Sequence, residues 1–188
     1  LEVAMRRLGA SGAAFDIIVA SGPRGALPHG VASGRKMKRG DLITIDYGAV
    51  VDGYHADTTR VFSLGKPSPK GREIYETVLK AQVAAVGAVR PGATGGEVDE
   101  AARSVIRAAG YGKFFGHGTG HGVGLEIHEG PRVAPGVKDR LEPGMIVTVE
   151  PGIYLPGWGG VRVEDMVAVT EKGRENLTRS ISKDLAVL

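Results

Sequence analysis

The sequence predicts an α+β domain that is assembled from two similar halves. Two observations lead to this prediction. Helical periodicity is confined to a few segments between strand-like runs, and a spaced set of glycines, acids and aromatic residues occurs twice along the chain. The length of 188 residues is enough to bury one core and is typical of a single domain. We therefore expect one domain over residues 1–188, with halves of roughly 1–90 and 91–188.

Two segments have the three- and four-residue apolar spacing of amphipathic helices, Pro69–Val89 and Thr94–Ala109. Gly110 gives the second helix a stop signal. Thr94 followed by Glu97 forms a capping-box pattern, in which each side chain satisfies a backbone donor of the first turn. This pattern fixes the expected start of the second helix.

The strand-like runs are rich in Val, Ile, Thr and Tyr, the residues that favour strands. They are Phe15–Ala20, Asp41–Tyr47, Ala49–Phe62, Met145–Tyr154 and Val161–Val169. Because the helices are segregated from these runs, an α+β arrangement with antiparallel strands is expected.

The internal repeat has a long period. Gly40, Asp46, Gly48, Gly53 and Tyr54 each lie 104 positions before Gly144, Glu150, Gly152, Gly157 and Trp158. Asp57 lies 107 positions before Glu164, after an insertion of three residues. His29 and His128 each precede the first acid of their half. Chance similarity of glycine-rich hairpins is the alternative explanation.

Two halves related by approximate twofold symmetry would bring four carboxylates to a common centre. Asp46 and Glu150 each follow an apolar strand, so both are expected to be buried. Buried like charges repel and are costly without a partner, whereas two divalent cations would cancel four carboxylates. With no Cys in the chain, any metal must be held by His, Asp and Glu.

Composition argues against several other classes of protein. A formal charge of +3 with scattered cations is not typical of a nucleic-acid-binding protein. No apolar run approaches the roughly 20 residues needed to cross a bilayer, and the start of the chain has no signal-peptide pattern. A soluble, cytoplasmic protein is the resulting expectation. Because the chain starts at Leu1 without Met, we interpret it as part of a longer protein.

The most specific motif is HGTGHGVGLEIHE at positions 117–129. It is accompanied by GYHADTTR at 53–60, VEPGIY at 149–154 and VRVED at 161–165. With these motifs, nearly the whole chain resembles the creatinase/aminopeptidase family of metallopeptidases (M24), which has the pita-bread fold. The resemblance is to the proline-directed branch, the Xaa-Pro aminopeptidases and prolidases.

The resemblance implies a dinuclear site in which Asp46 binds one metal, His121 and Glu150 bind the other, and Asp57 and Glu164 bridge them. Oxygen-dominated ligands suit Mn²⁺ or Co²⁺, and Zn²⁺ is also compatible. Two such ions can activate a water and polarise the scissile carbonyl. Glu150 is the candidate to accept the proton of that water.

Three histidines, His29, His117 and His128, fall where the family places catalytic groups on the substrate side. Arg162 lies two residues before Glu164 and is expected to brace a ligand carboxylate from behind; methionine aminopeptidases usually carry Gln there. A structural role is the interpretation for His55, and packing is the interpretation for Tyr154, Tyr54 and Trp158.

The predicted function is metal-dependent removal of the residue before proline, that is, an Xaa-Pro aminopeptidase acting on peptides with Pro at the second position. The main alternative is an Xaa-Pro dipeptidase (prolidase). A non-enzymatic pita-bread module that binds peptides and a metal-free creatinase-like hydrolase are both disfavoured by the full set of five ligands. Family members usually have a separate N-terminal domain, which is absent before Leu1, and are often dimeric, so a homodimer is also expected.

Overall fold

The computed structural model describes all 188 residues. Its helices are α1 (Glu2–Arg7), α2 (Pro69–Ala88) and α3 (Gly95–Ala108). The two longer helices occupy the segments that apolar spacing predicts. The capping box of α3 is present, because Thr94 Oγ1 accepts a hydrogen bond from the Glu97 amide at 3.1 Å and Glu97 Oε2 accepts one from the Thr94 amide at 2.6 Å. None of these helices is both long and apolar enough to cross a membrane.

Fourteen strands complete the fold. They are β1 (Gly12–Ala13), β2 (Ile18–Ser21), β3 (Leu42–Tyr47), β4 (Ala49–Val51), β5 (Tyr54–His55), β6 (Thr58–Ser63), β7 (Gly120–Gly122), β8 (Glu129–Val133), β9 (Ile146–Val149), β10 (Gly152–Leu155), β11 (Gly159–Arg162), β12 (Asp165–Thr170), β13 (Gly173–Asn176) and β14 (Ala186–Val187). Two short 3-10 helices lie at Gly22–Ala26 and Gly112–Phe114.

The predicted strand Ala49–Phe62 is divided into β4, β5 and β6. Asp52 and Gly53 have φ angles of 51° and 85°, and two consecutive residues with positive φ form a tight turn between antiparallel strands. The predicted strand Met145–Tyr154 is likewise divided into β9 and β10. The apolar residues therefore predict where the strand regions lie, but they do not predict the turns that divide each region into separate strands.

The strands form sheets in the orders β1-β4-β5, β10-β11, β13-β12-β9-β7-β8 and β14-β6-β3-β2. The expected α+β fold is confirmed, and all strand pairs are antiparallel except that of β14 with β6, which is parallel. Strands β3 to β6 correspond in order to β9 to β12, and the pairings correspond as well: β3 with β6 and β9 with β12, β4 with β5 and β10 with β11, all antiparallel. Gly40 and Gly144, which are 104 positions apart, have φ angles of 91° and 93°.

Helices α2 and α3 pack on each other and on the sheets, enclosing one apolar core of 23 buried residues. Ile74 and Val78 of α2 and Val98 and Ile106 of α3 have no solvent exposure. Fully burying an apolar side chain of this size contributes about 1.5–3 kcal/mol relative to leaving it exposed. The helices thus hold together the sheets that carry the predicted acidic residues.

Candidate metal centre

All the candidate site residues line one cavity of about 480 Å³. They are His29, Asp46, Asp57, His117, His121, His128, Glu150, Arg162 and Glu164. Residues of β3, β7 and β11 and the residue that follows β9 line this cavity. Residues separated by more than a hundred positions in the sequence are therefore brought to a common wall.

Backbone pairing sets the position of each acid. Asp46 lies in β3, opposite Ile18 of β2 and Thr59 of β6. Glu150 directly follows β9, and its amide donates to the Thr119 carbonyl at 2.7 Å. Glu164 lies between β11 and β12, and its amide donates to the Thr59 carbonyl at 3.2 Å. The bond between Glu164 and Thr59 joins the acid-bearing strands of the two halves, whereas the bond between Glu150 and Thr119 lies within the second half.

Three of the predicted ligands already form a compact cluster. One ligand atom from each of Asp57, His121 and Glu164 lies within 4.8 Å of the others. Glu150 adjoins the cluster, with its Oε1 3.3 Å from His121 Nε2. Asp46 lines the same cavity, but its Oδ2 is bound to Arg162.

The electrostatic environment of the carboxylates favours the binding of divalent cations. Asp46 Oδ1 and Glu164 Oε1 are buried without any hydrogen-bond partner in the protein, which is costly for a carboxylate. Burial, together with the charges of Asp46 and Glu150, raises the pKa of Asp57 to about 8. Burial and the charge of Asp57 raise the pKa of Glu164 well above its usual value. A cluster of hard oxygen donors with unmet charge is suited to divalent ions.

The imidazole of His121 is oriented as a metal ligand would be. Its Nδ1 lies 2.9 Å from the Gly122 carbonyl, which can only accept, so Nδ1 carries a proton. Nε2 then faces Glu150 at 3.3 Å and Asp57 at 3.6 Å. Burial opposes protonation of Nε2, but the hydrogen bond and charge of Glu150 outweigh it and raise the pKa of His121. A divalent ion would take the place of that proton.

A chain of polar contacts connects Asp46 to His117. Arg162 Nη2 donates to Asp46 Oδ2 at 2.6 Å, and Arg162 Nη1 donates to the Tyr154 hydroxyl at 3.0 Å. The Tyr154 hydroxyl lies 2.8 Å from His117 Nε2. His117 Nδ1 lies 2.7 Å from the Gly118 carbonyl and must be the donor there. Because burial lowers the pKa of His117, its Nε2 accepts a hydrogen bond from Tyr154.

The other two histidines flank the cluster. The rings of His128 and His121 are in edge contact with centroids 4.4 Å apart, and burial followed by the charge of His121 lowers the pKa of His128. His29 is exposed at the cavity wall, and the carbonyl of Pro28 beside it accepts a hydrogen bond from Arg162 at 2.9 Å. Arg162 thus contacts both the His29 loop and Asp46.

The sequence did not predict several residues that contact the proposed ligands or line the cavity. Tyr154, interpreted as a packing residue, places its hydroxyl between Arg162 and His117. Thr59 Oγ1 donates to Glu164 Oε2 at 2.7 Å. Arg132 lines the cavity and is exposed to it. The 104-residue spacing relates Asp46 to Glu150 but carries no information on these neighbours.

Residues 1–171 match metallopeptidase family M24, and the chain belongs to that family. It is 52% identical over 180 residues to the Xaa-Pro dipeptidase of Pyrococcus furiosus, covering 96% of this chain and 52% of that protein.

Two solved structures are similar throughout. The X-Pro aminopeptidase from Thermotoga maritima has a TM-score of 0.96 and 49% identity, with 100% of this chain and 53% of that chain covered. An Xaa-Pro dipeptidase from Bacillus anthracis has a TM-score of 0.96 and 53% identity, with 100% of this chain and 52% of that chain covered. The pita-bread fold is confirmed by these likenesses, and the chain spans about half the length of the relatives it matches.

Proposed function

We propose that this chain is the catalytic domain of a metal-dependent Xaa-Pro peptidase that releases the residue preceding proline. The observation that supports it most strongly is the convergence of four carboxylates and His121 on one cavity, with two buried carboxylate oxygens that have no partner in the protein. Relatives described as an X-Pro aminopeptidase and as Xaa-Pro dipeptidases support the same reaction class.

The five side chains are proposed to hold two divalent ions. Asp46 would bind one ion and His121 with Glu150 the other, while Asp57 and Glu164 would bridge them. Mn²⁺ or Co²⁺ suits these hard donors best, and Zn²⁺ is compatible. Bound in this way, the ions would lower the pKa of a water and polarise the substrate carbonyl.

The protein's own groups then move and hold protons. Glu150 lies against His121 and is suited to accept a proton from the attacking water and to deliver it to the leaving group. That step matters for a bond to proline, because the imide nitrogen has no hydrogen before cleavage and must receive one. His29, His117 and His128 are proposed to contact the substrate carbonyl or the tetrahedral oxyanion from the other walls.

A prolidase is the second candidate, and Arg132 is the observation that favours it. Its guanidinium is exposed at the cavity wall and has no ion-pair partner in the protein. A free arginine in a cavity is well suited to bind a carboxylate in a bidentate manner. In a dipeptide the C-terminal carboxylate directly follows the proline ring, whereas a longer peptide has an amide at that place.

Peptide length therefore distinguishes the two candidates. The full-length protein, loaded with Mn²⁺ or Co²⁺, is incubated with Ala-Pro and with longer peptides that begin Ala-Pro. An aminopeptidase cleaves the longer peptides, whereas a prolidase cleaves the dipeptide alone. Ala-Ala and peptides beginning Ala-Ala are the matched controls for the requirement for proline. Full activity after complete chelation of metal would contradict the proposal for either substrate class.

Two further expectations stay predictions. A homodimer and an accompanying N-terminal domain are common in this family, and the relatives are about twice as long as this chain. We therefore propose that residues outside this chain contribute to closing the substrate site.

A further inference from the structure

A buried ion pair on α3 lies behind the segment that carries His117. Asp99 and Arg103 are one helical turn apart, and two hydrogen bonds of 2.8 and 2.9 Å join the guanidinium to the carboxylate. The side chain of Asp99 is 1% exposed and that of Arg103 is 17% exposed. Neither residue lines the cavity, and neither belongs to the acid-bearing strands.

Arg103 uses its remaining donors on the backbone of the neighbouring segment. Its Nη1 donates to the Phe115 carbonyl at 2.9 Å and its Nη2 donates to the His117 carbonyl at 2.7 Å. The guanidinium carbon also lies 4.1 Å from the centre of the Phe115 ring. The rigid plane of one guanidinium therefore sets both ends of the segment 115–117.

Asp99 continues the same arrangement at Thr119. Its Oδ1 accepts from the Thr119 amide at 3.1 Å and from the Thr119 hydroxyl at 2.8 Å. The Thr119 carbonyl accepts from the Glu150 amide at 2.7 Å. Thr119 has no solvent exposure, so each of its polar groups is fixed by a protein partner.

A pair of this kind is more than ordinary helix stabilisation. An exposed pair four residues apart contributes little to the stability of a helix, and burial adds a desolvation cost that hydrogen bonds must offset. Here every remaining bond of the pair goes to the segment between α3 and His121. The location and direction of these bonds tie the orientation of His117, and the backbone of Glu150, to helix α3.

We propose that Asp99 and Arg103 are positioning residues that orient His117 and anchor Glu150 for the reaction. The part that concerns turnover rests on the proposed peptidase function. Neither residue touches the cavity, so both act through the segment 115–119. Outer residues that orient groups of a metal site typically change affinity or activity by about 10- to 100-fold when they are altered.

The test is Arg103→Lys in the full-length, metal-loaded protein. Lysine keeps the positive charge beside Asp99, but it cannot bridge two carbonyls and a carboxylate at once. We expect kcat to fall by about 10- to 100-fold, with KM within about threefold of the wild-type value. Arg107→Lys is the matched control, because it lies one turn further along α3 in an exposed pair with Glu100 and should leave kcat unchanged.

A double variant distinguishes a positioning role of Arg103 from a general loss of structure. If Arg103 acts through His117, the loss in kcat should shrink to less than about threefold when Arg103→Lys is made in His117→Ala. An unchanged kcat in Arg103→Lys would overturn the inference, and an equal loss in both backgrounds would overturn the part of it that concerns His117.

Amide hydrogen exchange tests the anchoring of Glu150 without relying on turnover. Thr119→Val removes one donor to Asp99, and the Glu150 amide should then exchange faster than in the wild type, with Arg107→Lys unchanged. Equal exchange at Glu150 in the wild type and in Thr119→Val would contradict the inference. An inactive wild-type protein would instead contradict the proposed function, and the exchange result would still decide the positioning role.

Discussion

Asp165 is the most heavily hydrogen-bonded carboxylate of the fold, and replacing it by Asn gives a quantitative prediction. Its side chain has no solvent exposure. Its oxygens accept hydrogen bonds from Arg60 Nη2 at 2.8 Å, Gln82 Nε2 at 2.9 Å, Asn176 Nδ2 at 2.7 Å, Thr178 Oγ1 at 2.9 Å and Lys183 Nζ at 2.7 Å. The cluster joins β12, β6, α2 and the C-terminal segment.

Two arguments set the magnitude for Asp165→Asn. Burial opposes ionisation of Asp165, but the hydrogen bonds and charges of Lys183 and Arg60 outweigh it and lower its pKa to about 2. Relative to about 3.9 in an unfolded chain, this corresponds to roughly 2.6 kcal/mol of stability at neutral pH. Breaking a buried ion pair on one side costs about 3–5 kcal/mol. The second value is the better guide, because the side chain of Arg60 is only 4% exposed and would lose its partner.

The assay is urea and thermal unfolding of the metal-free protein at pH 7. A loss of about 3–5 kcal/mol lowers the melting temperature by roughly 2–4 °C per kcal/mol for a domain of this size. Glu100→Gln, in an exposed pair with Arg107, is the control and should change stability by less than about 1 kcal/mol. Because the folded pKa of Asp165 is depressed, its contribution is present above about pH 4 and is lost as the pH falls through about 2. Stability of Asp165→Asn within about 1 kcal/mol of wild type would refute the reasoning.

Three further predictions concern the cavity. Glu150→Gln should keep the fold but lower kcat by about 10²–10⁴-fold in a steady-state peptidase assay, since the amide cannot accept a proton, and wild-type rates would place the proton acceptor elsewhere. In the metal-free protein the pKa of Asp57 is raised to about 8, so the folded state holds a proton that the unfolded chain has already released. The free energy of unfolding, measured with urea, should therefore fall as the pH rises from about 4 to about 8, and divalent metal should remove this dependence. A flat pH profile without metal would contradict the prediction. The variant Tyr154→Phe should have a melting temperature near that of the wild type. Its kcat should be about tenfold lower, because Arg162 and His117 lose the hydroxyl that lies between them. An unchanged kcat would show that Tyr154 serves only in packing.

Much of the fold follows from sequence pattern because it depends on local signals. Apolar spacing and the Thr94–Glu97 box locate α2 and α3 to within a residue or two at each end. The 104-residue spacing anticipates the corresponding strand pairs, because each pair needs the same glycines at its turns. The helix signals are read from neighbouring residues and the repeat is read by comparing the two halves of the sequence, so neither signal requires the tertiary structure.

Strands β7 and β8 show where such reasoning fails. Strand β7 lies within the Gly- and His-rich motif and β8 begins at its last residue, and neither strand shows apolar alternation, so no local pattern predicts them. Glycine is required there by close backbone approach: a Cβ at Gly120 would lie 2.0 Å from the Thr148 carbonyl oxygen, and one at Gly122 would lie 2.1 Å from the Gly130 carbonyl oxygen. The polar neighbours of the site were missed for a related reason. The hydroxyl of Tyr154 reaches Arg162 and His117 only in the folded chain.

The most direct test of the account is the number of divalent ions bound by the protein and the side chains on which binding depends. Isothermal titration of the metal-free protein with Mn²⁺ or Co²⁺ should give two ions per chain in the wild type. The double variant Asp57→Asn, Glu164→Gln, which removes both proposed bridging carboxylates, should retain at most one weakly bound ion, while Glu100→Gln should bind as the wild type does. Absence of binding in the wild type, or two ions bound with equal affinity in the double variant, would contradict the proposed dinuclear centre.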